Sequence, residues 1–561
     1  MIKRAILVLS IVITVSFGIL AQGQRGGGPA VPPQNTQQGS ATPLIPDPNV
    51  TFDRLLKATQ EPHNWLTYSG SFMSQRYSPL TQVTTANARE LELKWVFQTK
   101  SLEKHEVTPL VVDGTMYTVE SPNNVIALNA TTGKTIWTFN YTPDPAARNC
   151  CGRLTRGLAI LGNQIFLATL DAHLLAIDAR TGRKNWEITA ADAKQLYSFT
   201  HAPLVIKDKV IVGTAGGEFG IRGFIAAYDA ATGKEAWKFY TVPGPGEPGN
   251  ETWSGNSWEH GGSPIWVTGS YDPETNLTFW GTGNPGPDWD GRARLGDNLY
   301  SCSVIALDAD TGKIKWHYQF SPHNEFDWDA TQVPVLADMD WQGRPRKVML
   351  WANRSGMYYV LDRVTGEFLK GAPFAKVNWA TGFDAKGRPN QVIHPTPEGT
   401  LVYPGNQGAT NWYNPSYSPR TGLFYIPTWE NSSSTYRWGD SPPEFREGTT
   451  FAALGPGRGA RGEDTYSAVR AIDPKTGEKK WDYRMMPAST DAGILTTASD
   501  VLFSGGRDGS FYALDARDGK MLWQTNLGPT VMSGPMTYSV GGKQYVSVTA
   551  GNAMFTFALR N

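Results

Sequence analysis

Ala127-Leu128-Asn129-Ala130-Thr131-Thr132-Gly133-Lys134-Thr135-Ile136-Trp137 returns along the chain with small changes, and its recurrence sets the architecture. Ala176 to Trp186 repeats it around Gly182, Ala227 to Trp237 around Gly233, and Ala306 to Trp316 around Gly312. Ala471 to Trp481 and Ala513 to Trp523 carry Gly477 and Gly519. Weaker copies surround Gly366 and Gly422. Each reads as an apolar strand, Asp or Asn, a turn ending in Gly, a charged residue and a second strand, which in the clear copies ends in Trp. The glycine supplies the positive φ that a tight hairpin needs. The tryptophan is placed to pack between neighbouring units. The eight glycines are 42 to 79 residues apart, the period of four-stranded propeller blades with insertions. The expectation is an all-β, eight-bladed β-propeller with Trp-docking repeats. Residues 91–97, with Trp95, should pair with residues 544–557 to close the ring.

The composition agrees. Gly (59) and Pro (38) together make about 17% of 561 residues, above the usual sum, and there are 20 tryptophans. Such a chain is turn-rich and aromatic, unlike a helical bundle, a coiled coil or a disordered polymer. Lys+Arg and Asp+Glu are both 51, so no charge footprint for nucleic acid or an anionic membrane exists. Length alone suggests three or four domains; the repeat overrides that in favour of one, from 51 to 561. Met1 to Arg4 is basic, Ala5 to Leu20 is nearly unbroken apolar, and Ala21 is small. Residues 1–21 therefore read as a secretory signal peptide, with an uncleaved anchor as the alternative. Residues 22–50 are rich in Gly, Pro and Gln and read as a linker. No later stretch is long and apolar enough to span a membrane. The cysteines are Cys150, Cys151 and Cys302, and no Cys-x-x-Cys-His occurs, which excludes a covalently attached c-type haem on this chain.

In a propeller the innermost strands line one channel, so polar residues at a fixed offset before the turn glycine should converge. Glu120 lies 13 residues before Gly133, Glu218 15 before Gly233, Arg354 12 before Gly366 and Asn411 11 before Gly422. Asn284 lies further from Gly312, with the 285–300 insertion absorbing the excess. Asp327 and Asp329 follow; in a strand they would share a face. Carboxylates with an amide are the oxygen ligands of a hard cation, and a solvated channel of scattered polar residues is the plainer alternative. Small residues in 214–217 and 281–283 flank Glu218 and Asn284 and allow close approach of a flat ligand.

These residues resemble the quinoprotein alcohol dehydrogenases, relatives of bacterial methanol dehydrogenase that use pyrroloquinoline quinone (PQQ). The resemblance covers nearly all of the mature chain and rests on Cys150-Cys151, Gly217-Glu218, Gly281 to Asn284 and the Asp327 segment. It implies that Cys150 and Cys151 form a vicinal disulfide over one face of PQQ, and that Trp266 stacks on the other. It implies cofactor contacts from Glu120, Arg156, Thr200, Gly216, Gly217, Arg354 and Asn411. Arginine suits the carboxylates of PQQ. Glu218, Asn284, Asp327 and Asp329 match metal positions, with Asp327 also the catalytic base and Arg354 beside the quinone oxygen. Asp329 stands where calcium-dependent relatives have a small residue and lanthanide-dependent ones have Asp. The expected ion is thus a lanthanide(III), with Ca²⁺ close behind. A tryptophan of methanol dehydrogenase near PQQ aligns with Asp491, which leaves the substrate pocket open.

The implied activity is oxidation of a primary alcohol to an aldehyde in the periplasm, with a soluble cytochrome c as electron acceptor. The alternatives are a quinoprotein acting on a polyol, sugar or polymer, with the 431–464 segment as a cap, and a non-catalytic propeller scaffold. A homodimer is left open.

Overall fold

In the computed structural model each repeat closes a hairpin in the same way. The Asp or Asn accepts N–H groups of the turn: Asn129 Oδ1 takes those of Thr131 and Thr132 at 3.0 Å, and Asp178 Oδ1 those of Arg180 and Thr181. The glycine stands at positive φ, +68° at Gly133 and +72° at Gly182. Across the hairpin the alanine faces the tryptophan, as in Ala127–Trp137, Ala176–Trp186 and Ala513–Trp523. A bulge follows each pair, adding twist.

The tryptophan then docks on the hairpin of the next unit. A Cβ on Gly133 would lie 2.6 Å from the Trp95 ring, on Gly182 2.7 Å from Trp137, and on Gly312 2.4 Å from Trp237. The indole N–H donates to a carbonyl of that same turn: Trp95 to Ala130 at 3.2 Å, Trp137 to Ala179 and Trp237 to Ala309 at 3.1 Å. Only glycine lets the ring lie flat there while taking the required φ.

The structure describes residues 44–458, 464–485 and 490–560. Among them, eight sheets, each built on four antiparallel strands in W-shaped order, form the blades, and one of them carries Tyr77–Ser78 as a fifth, parallel strand. Blade 1 spans 110–139, blade 2 159–189, blade 3 204–240, blade 4 270–319, blade 5 335–373, blade 6 416–485 and blade 7 495–526. Blade 8 joins the two ends of the chain: Met536–Val540, Lys543–Ala550 and Ala553–Leu559 take Leu91–Gln98 as outer strand, with Leu91 opposite Leu559 and Trp95 opposite Thr556. Middle strands such as Thr115–Glu120 and Met357–Asp362 are buried throughout, being covered by a neighbouring blade on each face.

The count of eight is right, but one repeat was misassigned. Gly422 joins the first two strands of blade 6, where Ser418 pairs with Leu423, while Gly477 joins its last two. The eighth blade is the closing one, which has no turn glycine between its third and outer strands because those strands come from opposite ends of the chain.

The expected 1–21 signal peptide and most of the expected 22–50 linker lie outside the described residues. The last part of that linker is folded onto blade 2: Leu44 N–H donates to Arg180 O, and Val50 pairs with Gly162 in both directions. Residues 63–78 then run as a belt across the channel. Their backbone bonds to inner strands of six blades, through Ser539, Val111, Tyr271, Leu336, Tyr417 and Thr496. Arg76, 1% exposed, anchors the belt by donating to Tyr68 O at 3.1 Å and Pro535 O at 2.5 Å. No helix among the described residues is long and apolar enough to cross a membrane.

Candidate active site

A loop precedes each inner strand, and in five of the eight blades the residue four positions before the strand lines the channel. Glu106, Thr200, Trp266, Trp412 and Asp491 all hold that position, and all line one cavity of about 350 Å³. Arg156 enters one residue later in its loop.

Of the residues expected at the site, Cys150, Cys151, Arg156, Thr200, Gly216, Glu218, Trp266, Asp327, Asp329, Arg354 and Asn411 border this cavity. Glu120 does not. It ends a strand of blade 1 and accepts the N–H groups of Lys100 and Ser101 and the Asn124 amide, so it caps the chain crossing from blade 8 to blade 1. The carboxylate that faces the cavity from blade 1 is Glu106, paired with Arg156 at 2.9 Å. Gly217 and Asn284 stand behind the wall. A Cβ on Gly217 would come within 3.0 Å of Asn284 Oδ1, so the glycine admits the amide.

Cys150 and Cys151 are joined by a disulfide. The Arg156 guanidinium lies between two indoles, 5.0 Å from the Trp266 ring and 4.6 Å from Trp412. Its Nε is buried without an acceptor. On the same side, Asp491 accepts from Tyr413 at 2.6 Å and from Arg507 at 2.8 Å and 2.9 Å. Sequence reasoning missed Glu106, Trp412, Tyr413 and Arg507 as cavity residues; register counted from the inner strands, rather than from the turns, finds the first two.

The acidic side is built from three elements. Glu218 sits in the short turn Gly217–Phe219, entered through Gly216 at φ +116°. Burial, and then the neighbouring Asp329 charge, push it up to about 7. Asp327 and Asp329 come from a loop rather than a strand, yet both face the cavity while Phe326 and Trp328 are buried behind them. Asn324 Oδ1 takes the N–H groups of Phe326 and Trp328, both at 3.1 Å, and Asp327 takes φ +59°. Asp329 is 3% exposed; its Oδ2 accepts the Trp266 indole N–H at 2.5 Å and its Oδ1 the Asn284 N–H at 2.7 Å. Arg354 donates to Asp327 Oδ2 at 3.1 Å and stands 3.7 Å from Asp329. Burial holds Asp327 well above the usual carboxylate range, and Asp329 and Glu218 push the same way against Arg354. Behind them Asp288, 1% exposed, is raised by burial and by Asp327, Asp329 and Glu218. It was not foreseen from the sequence.

This donor set fits a cation. The carboxylates are held near one another with one arginine among them, and the buried Asn284 Oδ1 has no donor. A hard ion would give the unpartnered Asn284 Oδ1 and the neighbouring carboxylates a positive charge to share. The other side fits a flat anion, with aromatic walls and an arginine Nε unspent.

Comparisons agree with the geometry. The family model of PQQ proteins described as glucose/ethanol/alcohol dehydrogenase, beta-propeller domain, matches residues 65–381 and 486–546. A quinohemoprotein alcohol dehydrogenase, ADH IIB of Pseudomonas putida, is 37% identical over 91% of this chain and 77% of its own length. The lanthanide-dependent methanol dehydrogenase of Methylacidiphilum fumariolicum is 36% identical over 89% of this chain and 86% of its own. The solved structure of quinohemoprotein alcohol dehydrogenase ADHIIG from Pseudomonas putida superposes with a TM-score of 0.87 at 36% identity, over 91% of this chain and 82% of that one. With its ring of eight blades and its acid-and-arginine cavity beside a vicinal disulfide, the chain belongs to the PQQ-dependent alcohol dehydrogenases.

Proposed function

We propose that this chain oxidises a small primary alcohol to the aldehyde in the periplasm and hands the electrons to a soluble cytochrome c. The observation that carries the reading is Asp327, set at the cavity wall with Arg354 on its Oδ2 and with Glu218 and Asp329 beside it.

Trp266, the Cys150–Cys151 disulfide, Glu106, Arg156, Thr200 and Asn411 would hold PQQ. Glu218, Asn284, Asp327 and Asp329 would hold the metal ion. Bound there, the pair supplies a hydride acceptor and a Lewis acid. The chain's own residues do the rest. Asp327 takes the alcohol proton on the oxygen that Arg354 leaves free, general-base work worth roughly 10²–10⁴-fold. Arg354 orients that carboxylate and places positive charge where negative charge builds on an oxygen at the wall. Asp329 adds a third carboxylate, which favours an ion of higher charge. The cavity of about 350 Å³ is near the lower end for ligand pockets, which suits a small alcohol beside a cofactor. A scaffold gains nothing from these buried acids, which cost stability unless something binds them.

The test is reconstitution. The mature protein is given PQQ with Ca²⁺ or La³⁺ and dye reduction is followed with a panel of alcohols. The expected result is alcohol-dependent reduction, stronger with La³⁺. No PQQ binding with either ion would overturn the reading.

A further inference from the structure

The insertion of blade 6 reaches over the acidic side without entering the cavity. Residues 431–464 lie between its second and third strands, and none of the described ones borders the cavity. They nevertheless bond to all three segments that carry Glu218, Asn284, Asp327 and Asp329. At the first, Phe451 N–H donates to Glu218 O at 2.7 Å. The rings of Phe445 and Phe451 both lie on Gly220, where a Cβ would come within 3.0 Å and 2.9 Å of them. Beyond Asn284, Trp289 N–H donates to Ala452 O at 3.0 Å. Before Asp327, Glu325 Oε1 accepts the Trp438 indole N–H at 3.3 Å and the Gly291 N–H at 3.1 Å. Beneath these contacts, residues 260–263 splice the first two segments together. Gly262 N–H donates to Ile221 O and Ser263 N–H to Asn284 O, both at 2.8 Å. His260 Nδ1 donates to Gly220 O at 3.1 Å, and its ring stacks on Phe445 with centroids 3.4 Å and planes 10° apart.

The Glu218 turn is rich in glycine. Gly216 and Gly220 flank it at φ +116° and +68°, and Gly217 lies within it, so its own backbone has wide freedom. What fixes the carboxylate is what packs on the turn. We propose that residues 438–452 are a positioning strap for the metal centre, and that Phe445 and Phe451 are the residues that seat the Glu218 turn. The inference rests on the reading that Glu218, Asn284, Asp327 and Asp329 hold an ion. Oxygens drawn from separate loops keep one geometry only where the loops are tied from outside, and such outer supports set how tightly an ion is held. The ion leaves when one of those loops swings away, and the strap opposes that swing. Phe445 and Phe451 are thus positioning residues: they act through Glu218, and the coordinating oxygens stay those of the cavity wall.

The experiment uses the whole mature protein loaded with PQQ and Eu³⁺ and reads metal release rather than turnover. Excess chelator is added and the loss of Eu³⁺ luminescence is followed in wild type and in the double variant Phe445→Ala/Phe451→Ala. The expected result is release faster by roughly 10–100-fold, the range that outer supports of a metal site are worth. Phe445→Tyr, which keeps a ring to stack on His260, should release at the wild-type rate. So should Glu447→Ala, which alters an exposed residue of the same strap. Thermal unfolding without metal is the second readout, and the double variant should melt with wild type because the strap lies outside the blades. Should the double variant not fold, Phe445→Ala alone decides by the same rate. Release at the wild-type rate would overturn the proposal. So would a metal-free variant that melts far below wild type, since the strap would then be holding the ring and not the ion. Wild type that takes up no Eu³⁺ would instead overturn the metal-centre reading beneath it, and the proposal with it.

Discussion

Asp329 has both carboxylate oxygens committed, one to the Trp266 indole and one to the Asn284 backbone. Those two bonds aim the side chain at the acids around it and tie the aromatic wall to the metal side of the cavity. Replacing Asp329 with Ala removes one negative charge and frees Trp266. Lanthanide-supported activity should fall by more than tenfold, and by more than Ca²⁺-supported activity, in steady-state assays of the reconstituted protein. Equal loss with both ions would reduce Asp329 to a support for the indole. That Glu218, Asp327 and Asp329 meet at one cavity was legible in the sequence, because each sits in a short distinctive string. Glu120 was misplaced for a physical reason. Loops between the strands of a blade vary in length, so an offset counted from the outer turn drifts, whereas the inner strand fixes the register directly. Asp288 carried no local signal at all; only burial and the lack of partners mark it out.

At the scale of the hairpin, the Trp-on-Gly dock combines two demands that can be separated. Gly182 and Gly422 have nearly the same φ, +72° and +68°. A Cβ on Gly182 would meet Trp137 at 2.7 Å, whereas a Cβ on Gly422 would meet nothing within 4 Å. Gly422→Ala should therefore cost only the left-handed backbone penalty, about 1–2 kcal/mol. Gly182→Ala should cost roughly 1–3 kcal/mol more, because the indole must move. Urea unfolding of the two variants measures the difference, and equal costs would show that the ring contributes nothing. Two joints lack the device. At blade 8, which has no such turn glycine, Trp523 packs on Phe557 with ring centroids 5.2 Å apart. The outer strand of blade 5 offers Ala372 to Gly477 in place of a tryptophan, and Tyr358 Oη donates to Pro474 O at 3.0 Å instead. The repeat was therefore readable as a phrase, but Gly422 shows why its copies could not be counted as blades. The same turn chemistry serves any hairpin, and only strand pairing tells an inner hairpin from an outer one. The 431–464 segment was read from the sequence as a candidate cap over the site. Its described part lies on the Glu218 turn, where Phe451 N–H donates to Glu218 O at 2.7 Å and Phe445 stacks on His260. Arg148, beside the disulfide, donates to Gly448 O.

For the molecule as a whole, the belt and the closing blade hold the ring by different means. The outer strand of blade 8 joins two neighbours, while residues 63–78 reach six blades at once. The closing strand was expected from the sequence, but the belt was not, because most of its bonds are made by the backbone and leave no pattern to read. A chain that starts at residue 80 keeps Leu91–Gln98 and so keeps all eight blades. It should nevertheless melt lower than a chain that starts at residue 44, by on the order of 10 °C, since it loses the backbone bonds of the belt and the burial of Trp65, Leu66, Tyr68 and Phe72. Differential scanning calorimetry decides it, and matching transitions would mean that the blades alone carry the ring.

The belt has a second consequence, for traffic. The cavity-lining loops precede the inner strands, and the belt crosses where those strands already run, so the passage through the ring is a well and not a tunnel. Lys104 and Cys151 stand exposed at its rim. Whatever the protein takes in must leave by the doorway it entered. A cofactor has to be seated before the first alcohol arrives, and each product must clear the opening before the next alcohol can descend. An electron acceptor that docks over the same rim would compete with both for the one threshold.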